Sequence, residues 1–175
     1  MGNNVILVDD NDNKIGIYDK IKAHEKNLMH RAFSIFIFNQ EGEMLIQQRA
    51  EGKYHGGGKW SNACCGHPVK EDLNSEAVKR LNEEMGFECE LKEMFTFVYN
   101  ARLENGLYEN EYDHVLLGFY SNEVKPNREE VRDYRWINVD ELDEEIKMYP
   151  DRFTYWFRLI WVKHKNNLLL FTKKR

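Results

Sequence analysis

Apolar and polar positions alternate along this chain in blocks that mark its elements in turn. Val5 to Val8 and Ile15 to Tyr18 flank the polar stretch "DDNDNK", a pattern that predicts a short opening hairpin. A polar segment with two histidines follows, "DKIKAHEKNLMH". "AFSIFIF" (32 to 38), "NQEGE" and "MLIQQR" then read as strand, turn and strand, rich in β-branched and aromatic residues that pack on a sheet. In "NSEAVKRLNEEMGF" the period changes: Ala77, Val78, Leu81 and Met85 recur at helical spacing, Asn74 or Ser75 offers a cap, and Gly86 a stop. "FTFVYNARL" (95 to 103), a turn at "ENG" and "LYENEYDHVLLGFY" (107 to 120) predict a third hairpin. "DYRWINVDEL" predicts a strand and a helix start, and Thr154 to His164 repeats apolar residues at helical spacing. Strands and helices mixed in this way imply an α/β sheet covered by helices, without internal repeats.

Length and charge narrow the function classes. The 175 residues suffice for one domain spanning 1–175, since no Pro- or Ser-rich linker or composition shift divides them. With 25 Lys and Arg against 30 Asp and Glu, the net charge of -5 argues against general affinity for nucleic acid or an anionic membrane. Local basic residues can still bind a phosphate. The segment Met1 to Asp10 lacks a basic stretch followed by an apolar run, and no membrane-length apolar run occurs, so a cytoplasmic protein without membrane insertion is expected. Cys64, Cys65 and Cys89 are odd in number and lack CxxC spacing, which predicts reduced thiols.

Several groups of residues carry possible chemistry. Glu109 and Glu111, two apart on a predicted strand, share one face, with Asn110 on the other. If they meet His24, His30 and His67, the five donors suit a divalent ion, octahedral Mn²⁺ or Mg²⁺ or else Zn²⁺; if they do not, they are a solvated strand face and solvated loop histidines. In "WSNACCGHP" (60 to 68) neighbouring residues alternate, so Cys64 points away from Cys65, which lies on the side of His67. A thiol near a metal or cation can have a lowered pKa and act as base or nucleophile, whereas a buried cysteine is an inert small hydrophobe. Lys20, Arg49, Lys53 and Arg80 could together neutralise a diphosphate or be separate surface charges. Glu84, one turn beyond Arg80, could hold a substrate-linked Mg²⁺ or simply pair with it. Trp156 belongs to an aromatic stripe that reads as core or as a wall able to stabilise a cation.

Taken in order, "CCGHP" (64 to 68), the preceding His24 and His30, "ENE" (109 to 111) and "RLNEEMGF" (80 to 87) resemble the type I isopentenyl-diphosphate isomerases, a branch of the Nudix fold. The resemblance runs from about Val5 to Trp161. It implies an α/β/α sandwich with a mixed sheet of mainly antiparallel hairpins, and interconversion of isopentenyl and dimethylallyl diphosphate in isoprenoid precursor synthesis. It also implies that His24, His30, His67, Glu109 and Glu111 hold one divalent metal. Cys65 and Glu111 would be the acid/base groups, with Tyr99 hydrogen-bonded near Glu111. Lys20, Arg49, Lys53 and Arg80 match diphosphate contacts, Glu84 a ligand of a second Mg²⁺, and Trp156 the aromatic residue over the hydrocarbon. The partner is thus a small prenyl diphosphate.

The chemistry agrees with that assignment. Moving an unactivated double bond adds a proton at one carbon and removes one from another through a tertiary carbocation. Such a site needs an acid and a base on opposite faces, an aromatic wall and exclusion of water. Two departures stand out. Lys79 and Arg80 replace the Arg-Glu pair of ordinary Nudix hydrolases, which removes a carboxylate from a hydrolytic metal cluster. "HGGGKW" (55 to 60) lacks the Pro common in such isomerases, although Lys53 and Trp60 keep their expected places. The alternatives are a Nudix-type diphosphate hydrolase and a non-catalytic metal- or diphosphate-binding module.

Overall fold

A computed structural model describes residues 4–103 and 105–172, with the side chain of Phe171 left aside. Glu104 of the expected "ENG" turn and the first three residues of the Met1 to Asp10 segment lie outside the described residues.

The central strand β3 (His30–Phe38) is buried at every position, as expected of a strand covered on both faces. One edge of it pairs in parallel with β8 (Tyr108–Phe119), from His30 opposite Glu111 to Phe38 opposite Phe119. On its other side lie β1 (Asn4–Val8) and the short β6 (Cys64–Gly66). The opening hairpin of β1 with β2 (Lys14–Asp19) and the hairpin of β7 (Leu91–Arg102) with β8 form as the alternation predicts. The expected hairpin of β3 with β4 (Met44–Arg49) is reduced to a single pair, Phe38 with Met44. β6 and β8 take the remaining edges of β3, and β4 diverges to pair with β5 (Trp60–Asn62) and β9 (Val131–Ile137).

Side chains from the two faces of the sheet build two cores. Phe36, Phe38, Met44, Ile46 and Val115 pack against Phe157, Ile160 and Trp161 of α4 (Tyr155–Thr172) and Leu142 and Ile146 of α3 (Val139–Met148). Phe33, Ile35, Ile37, Leu45 and Leu116 pack against Ala77, Leu81 and Met85 of α2 (Leu73–Met85). Helices thus cover both faces, giving the α/β/α sandwich expected. α2 starts two to three residues earlier than the Asn74 or Ser75 cap predicts: Asp72 is the cap and accepts from Ser75 N at 3.1 Å. Its stop is Gly86, at φ 76°, where an added Cβ would collide with Lys125 O. The polar histidine segment contains a short helix, α1 (Lys20–Glu25), capped by Asp19. Period alone gave no sign of it because few of its residues are apolar. Among the described residues no helix is long and apolar enough to cross a membrane.

Candidate active site

The parallel register of β3 and β8 sets His30 directly opposite Glu111. Alternation along β8 then turns Glu109 and Glu111 inward, while Asn110 faces out and donates to Asn27 O at 2.8 Å. α1 supplies His24, and the chain leaving β6 supplies His67. Donor atoms of His24, His30, His67 and Glu109 lie within 4.8 Å of one another. Glu111 joins them through His67 Nε2, 2.8 Å from its Oε1, with His30 Nε2 at 3.6 Å from the same oxygen. All five expected donors therefore converge, and this His/Glu group could hold a metal.

The polar atoms at its centre fit an ion. Buried His24 Nε2, His30 Nε2 and Glu109 Oε2 have no hydrogen-bond partner among the described residues. An orphaned buried polar atom is costly, and three of them within a single cluster are explained by a cation they would share. Burial, reinforced by the neighbouring His67 and His30, lowers the His24 pKa to about 4, and burial lowers that of His67 as well. Neutral imidazoles keep the lone pair that a metal requires. Burial opposes charge on Glu111, yet the imidazoles of His30 and His67 hold its carboxyl well below the usual range. Burial and the Glu111 charge push Glu109 well above it.

A cavity of about 240 Å³ opens beside this cluster. Lys20, Arg49, Lys53 and Arg80 line it together with Glu84, Cys65 and Trp156. The four cations are thus one group rather than scattered surface charges. Burial lowers the pKa of Lys20 and Lys53, and in both cases the charges of Arg49 and Arg80 add to the effect. Crowded, partly desolvated cations suit a multiply charged anion. Glu84, only 1% exposed, accepts from Gln47 Nε2 at 2.8 Å and pairs with Arg80. Trp156 is 7% exposed within one core and also lines the cavity, with the Arg49 guanidinium 5.2 Å from its ring.

Cys65 and Cys64 face opposite sides of β6, as alternation requires. Cys64 is fully buried in the α2 core, while Cys65 packs against the other and reaches the cavity. The lowered thiol pKa considered from sequence is reversed. Burial, with the nearby Asp113, pushes Cys65 up to about 12, despite hydrogen bonds with Ser34 at 3.6 Å and Asn62 at 3.1 Å. Burial thus favours the thiol form of Cys65 over a standing thiolate. Across the site the Tyr99 hydroxyl donates to Glu111 Oε2 at 2.6 Å.

A NUDIX domain model matches residues 28–157. The chain is 49% identical over 157 residues to isopentenyl-diphosphate Delta-isomerase 2 of Photorhabdus laumondii, covering 89% of each protein. It is likewise 49% identical over 158 residues to an isopentenyl-diphosphate Delta-isomerase of Burkholderia multivorans, covering 90% of each. The chain belongs to the isopentenyl-diphosphate Delta-isomerase branch of the NUDIX family. Among solved structures, DR0079 of Deinococcus radiodurans shares this NUDIX fold with a TM-score of 0.67 at 16% identity, over 83% of this chain and 90% of that one. A MutT protein of Methanosarcina mazei does so with a TM-score of 0.64 at 20% identity, over 79% and 94%.

Four side chains of this NUDIX site escaped the sequence reading. Asp113 extends the inward row of Glu109 and Glu111 by one more alternation, a signal available in "ENEYD", and Ser34 donates to it at 2.7 Å. Asn62 anchors the Cys65 strand through Ile35 O and Cys64 O. Glu130 pairs with both Lys53 and Arg80. His55, inside the glycine-rich run, is 3% exposed and places Nε2 at 3.3 Å from Glu109 Oε1.

Proposed function

We propose that this protein interconverts isopentenyl diphosphate and dimethylallyl diphosphate in isoprenoid precursor synthesis, by protonation and deprotonation through a tertiary carbocation. The observation that carries the reading is the joint placement of Cys65 and the Tyr99-bonded Glu111 around one cavity with a cationic end and the Trp156 ring. Lys20, Arg49, Lys53 and Arg80 bind the diphosphate, which fixes the hydrocarbon between the two proton-transfer groups. One of Cys65 and Glu111 gives a proton to the terminal alkene carbon, leaving a cation at the branched carbon. The other takes a proton from the methylene on the diphosphate side, and the electron pair of that C–H bond becomes the new double bond. Running the sequence backwards exchanges their roles, so the reaction is reversible. Tyr99 holds Glu111 in place, and the Trp156 π face lies against the developing positive charge.

His24, His30, His67, Glu109 and Glu111 would hold one divalent ion, Mn²⁺, Mg²⁺ or Zn²⁺, whose charge would neutralise the paired carboxylates and fix their orientation. Glu84 would hold a second Mg²⁺ shared with the diphosphate oxygens. Arg80 stands where a hydrolytic cluster would place a carboxylate, which disfavours hydrolysis. The free cysteines suit a reducing compartment, and we place the protein in the cytoplasm.

Proton NMR of the purified protein with isopentenyl diphosphate and Mg²⁺ in D₂O tests this reading. Dimethylallyl diphosphate carrying deuterium in its new methyl group is the expected product. Inorganic phosphate without isomerisation would make the protein a hydrolase on this fold, and no change of either kind in metal-replete protein would make it a binding module.

A further inference from the structure

The two oxygens of the Glu84 carboxylate meet different company. Oε2 accepts from Gln47 Nε2 at 2.8 Å. Oε1 pairs with Arg80 and lies 3.7 Å from Lys53 Nζ, and all three residues line the cavity. Gln47 stands two positions after Leu45 on β4, so alternation sends its side chain to the same apolar face, against α2. There it is buried, with a second contact that fixes the amide: Nε2 also lies 2.6 Å from Ala63 O. A carbonyl only accepts, so this contact alone identifies the nitrogen, and flipping the amide would set oxygen against Ala63 O and against Glu84 Oε2. Each of the two Nε2 hydrogens thus has one acceptor. Gln47 Oε1 is buried and has no hydrogen-bond partner among the described residues. An apolar side chain of similar size would avoid burying that idle oxygen, so what glutamine supplies here is its pair of N–H donors.

We infer that Gln47 is a positioning residue for the substrate-linked Mg²⁺: its Nε2–H holds Glu84 Oε2, so that Oε1 is the oxygen presented to the ion in the cavity. This rests on the reading that Glu84 holds a Mg²⁺ shared with the diphosphate. Mg²⁺ demands near-octahedral geometry and takes only one or two carboxylates, so the rotation of this single carboxylate decides how well the ion is held. The other N–H of the same amide goes to Ala63, two residues before Cys65, and ties α2 to the chain that carries the thiol. One side chain therefore sets the ligand of the diphosphate-bound ion and the Cys65 strand against each other.

Inorganic pyrophosphate, which carries no alkene to isomerise, reads this by calorimetry in protein loaded with one equivalent of Zn²⁺, over a range of added Mg²⁺. Gln47→Met is close in volume and removes both donors. The Mg²⁺ concentration needed for half-maximal tightening of pyrophosphate binding should rise about 10- to 100-fold, while the Mg²⁺-free affinity and the bound Zn²⁺ stay as in the unsubstituted protein. An unchanged Mg²⁺ requirement, or equal weakening with and without Mg²⁺, would overturn the inference. Glu84→Gln separates the two levels. If Glu84→Gln keeps the Mg²⁺ effect, the reading of Glu84 as a ligand fails and this inference with it. If Glu84→Gln loses the effect while Gln47→Met keeps it in full, only the inference about Gln47 fails. Because Gln47→Met also takes a donor from Ala63 O, the unmutated protein supplies a second measurement. In ¹⁵N NMR of the side-chain amides, the Gln47 Nε2 resonances should move when Mg²⁺ joins the pyrophosphate complex, since the ion draws charge from the carboxylate that accepts the bond. Resonances that stay in place would overturn the inference.

Discussion

The Tyr99 phenol donates a hydrogen bond of 2.6 Å to Glu111 Oε2, linking paired residues on β7 and β8 beneath the cavity. Burial first, and then the Glu111 carboxylate, push the phenol well above its ordinary pKa, so it stays a donor. Tyr99→Phe keeps the ring and removes the donor. It should lower kcat about 100-fold or more with KM nearly unchanged, because Tyr99 is not among the residues lining the cationic end. Steady-state kinetics check this; a loss confined to KM would detach Tyr99 from proton transfer.

Cys65→Ala and Glu111→Gln should each abolish isomerisation while the far-ultraviolet circular dichroism stays native. Cys65 is only partly buried at the margin of one core, and Glu111→Gln keeps the size and shape of its side chain. Near-normal turnover in either variant sinks the two-group mechanism.

His67→Ala removes the ring whose Nε2–H donates to Glu111 Oε1, 2.8 Å away, and one ring of the cluster. Elemental analysis after dialysis should find less divalent metal than in the unsubstituted protein. Unchanged content would remove His67 from the ligand set.

Arg80→Ala takes away a cation that pairs with both Glu84 and Glu130 at the cationic end of the cavity. KM should rise by about one to two orders of magnitude, the loss of a charge-assisted contact worth roughly 1.5–3 kcal/mol. Metal content at the His/Glu cluster should not change, since Arg80 is outside it. Joint loss of metal and affinity would mean that Arg80 shapes the whole site instead.

Far from the site, Asp143 on α3 takes hydrogen bonds from Lys147 of the same helix and from Lys165 and Trp161, which tie α3 to α4, and together they lower its pKa from 3.8 to about 2. A depressed carboxyl pKa adds stability above the unfolded value, and the gain disappears as pH falls through the folded one. Solvent screening of this partly exposed group reduces the gain to about 1 kcal/mol. Asp143→Asn should therefore lower the denaturant midpoint at pH 7, and its difference from the unsubstituted protein should shrink between about pH 4 and pH 2. A constant difference across that range would assign the effect to packing.

What the sequence determined by itself is local. Alternation set Glu109 and Glu111 on one face and Cys64 and Cys65 on opposite faces, because side-chain direction in a strand depends only on the parity of position. Helical period and a residue free to adopt positive φ set the body of α2 and its end at Gly86. The ordered motifs supplied the ligand set by resemblance, since no spacing along the chain says that His24, His30 and His67 meet. That meeting depends on a parallel register between β3 and β8, whose paired residues His30 and Glu111 are far apart in sequence. The same long-range packing reversed the lowered thiol pKa considered for Cys65, because burial and Asp113 act on it only once β3, β6 and β8 lie side by side. It also brought the short loop bearing His55 over Glu109. Parity and period are properties of neighbouring residues; register, burial and the company a side chain keeps are properties of the folded whole.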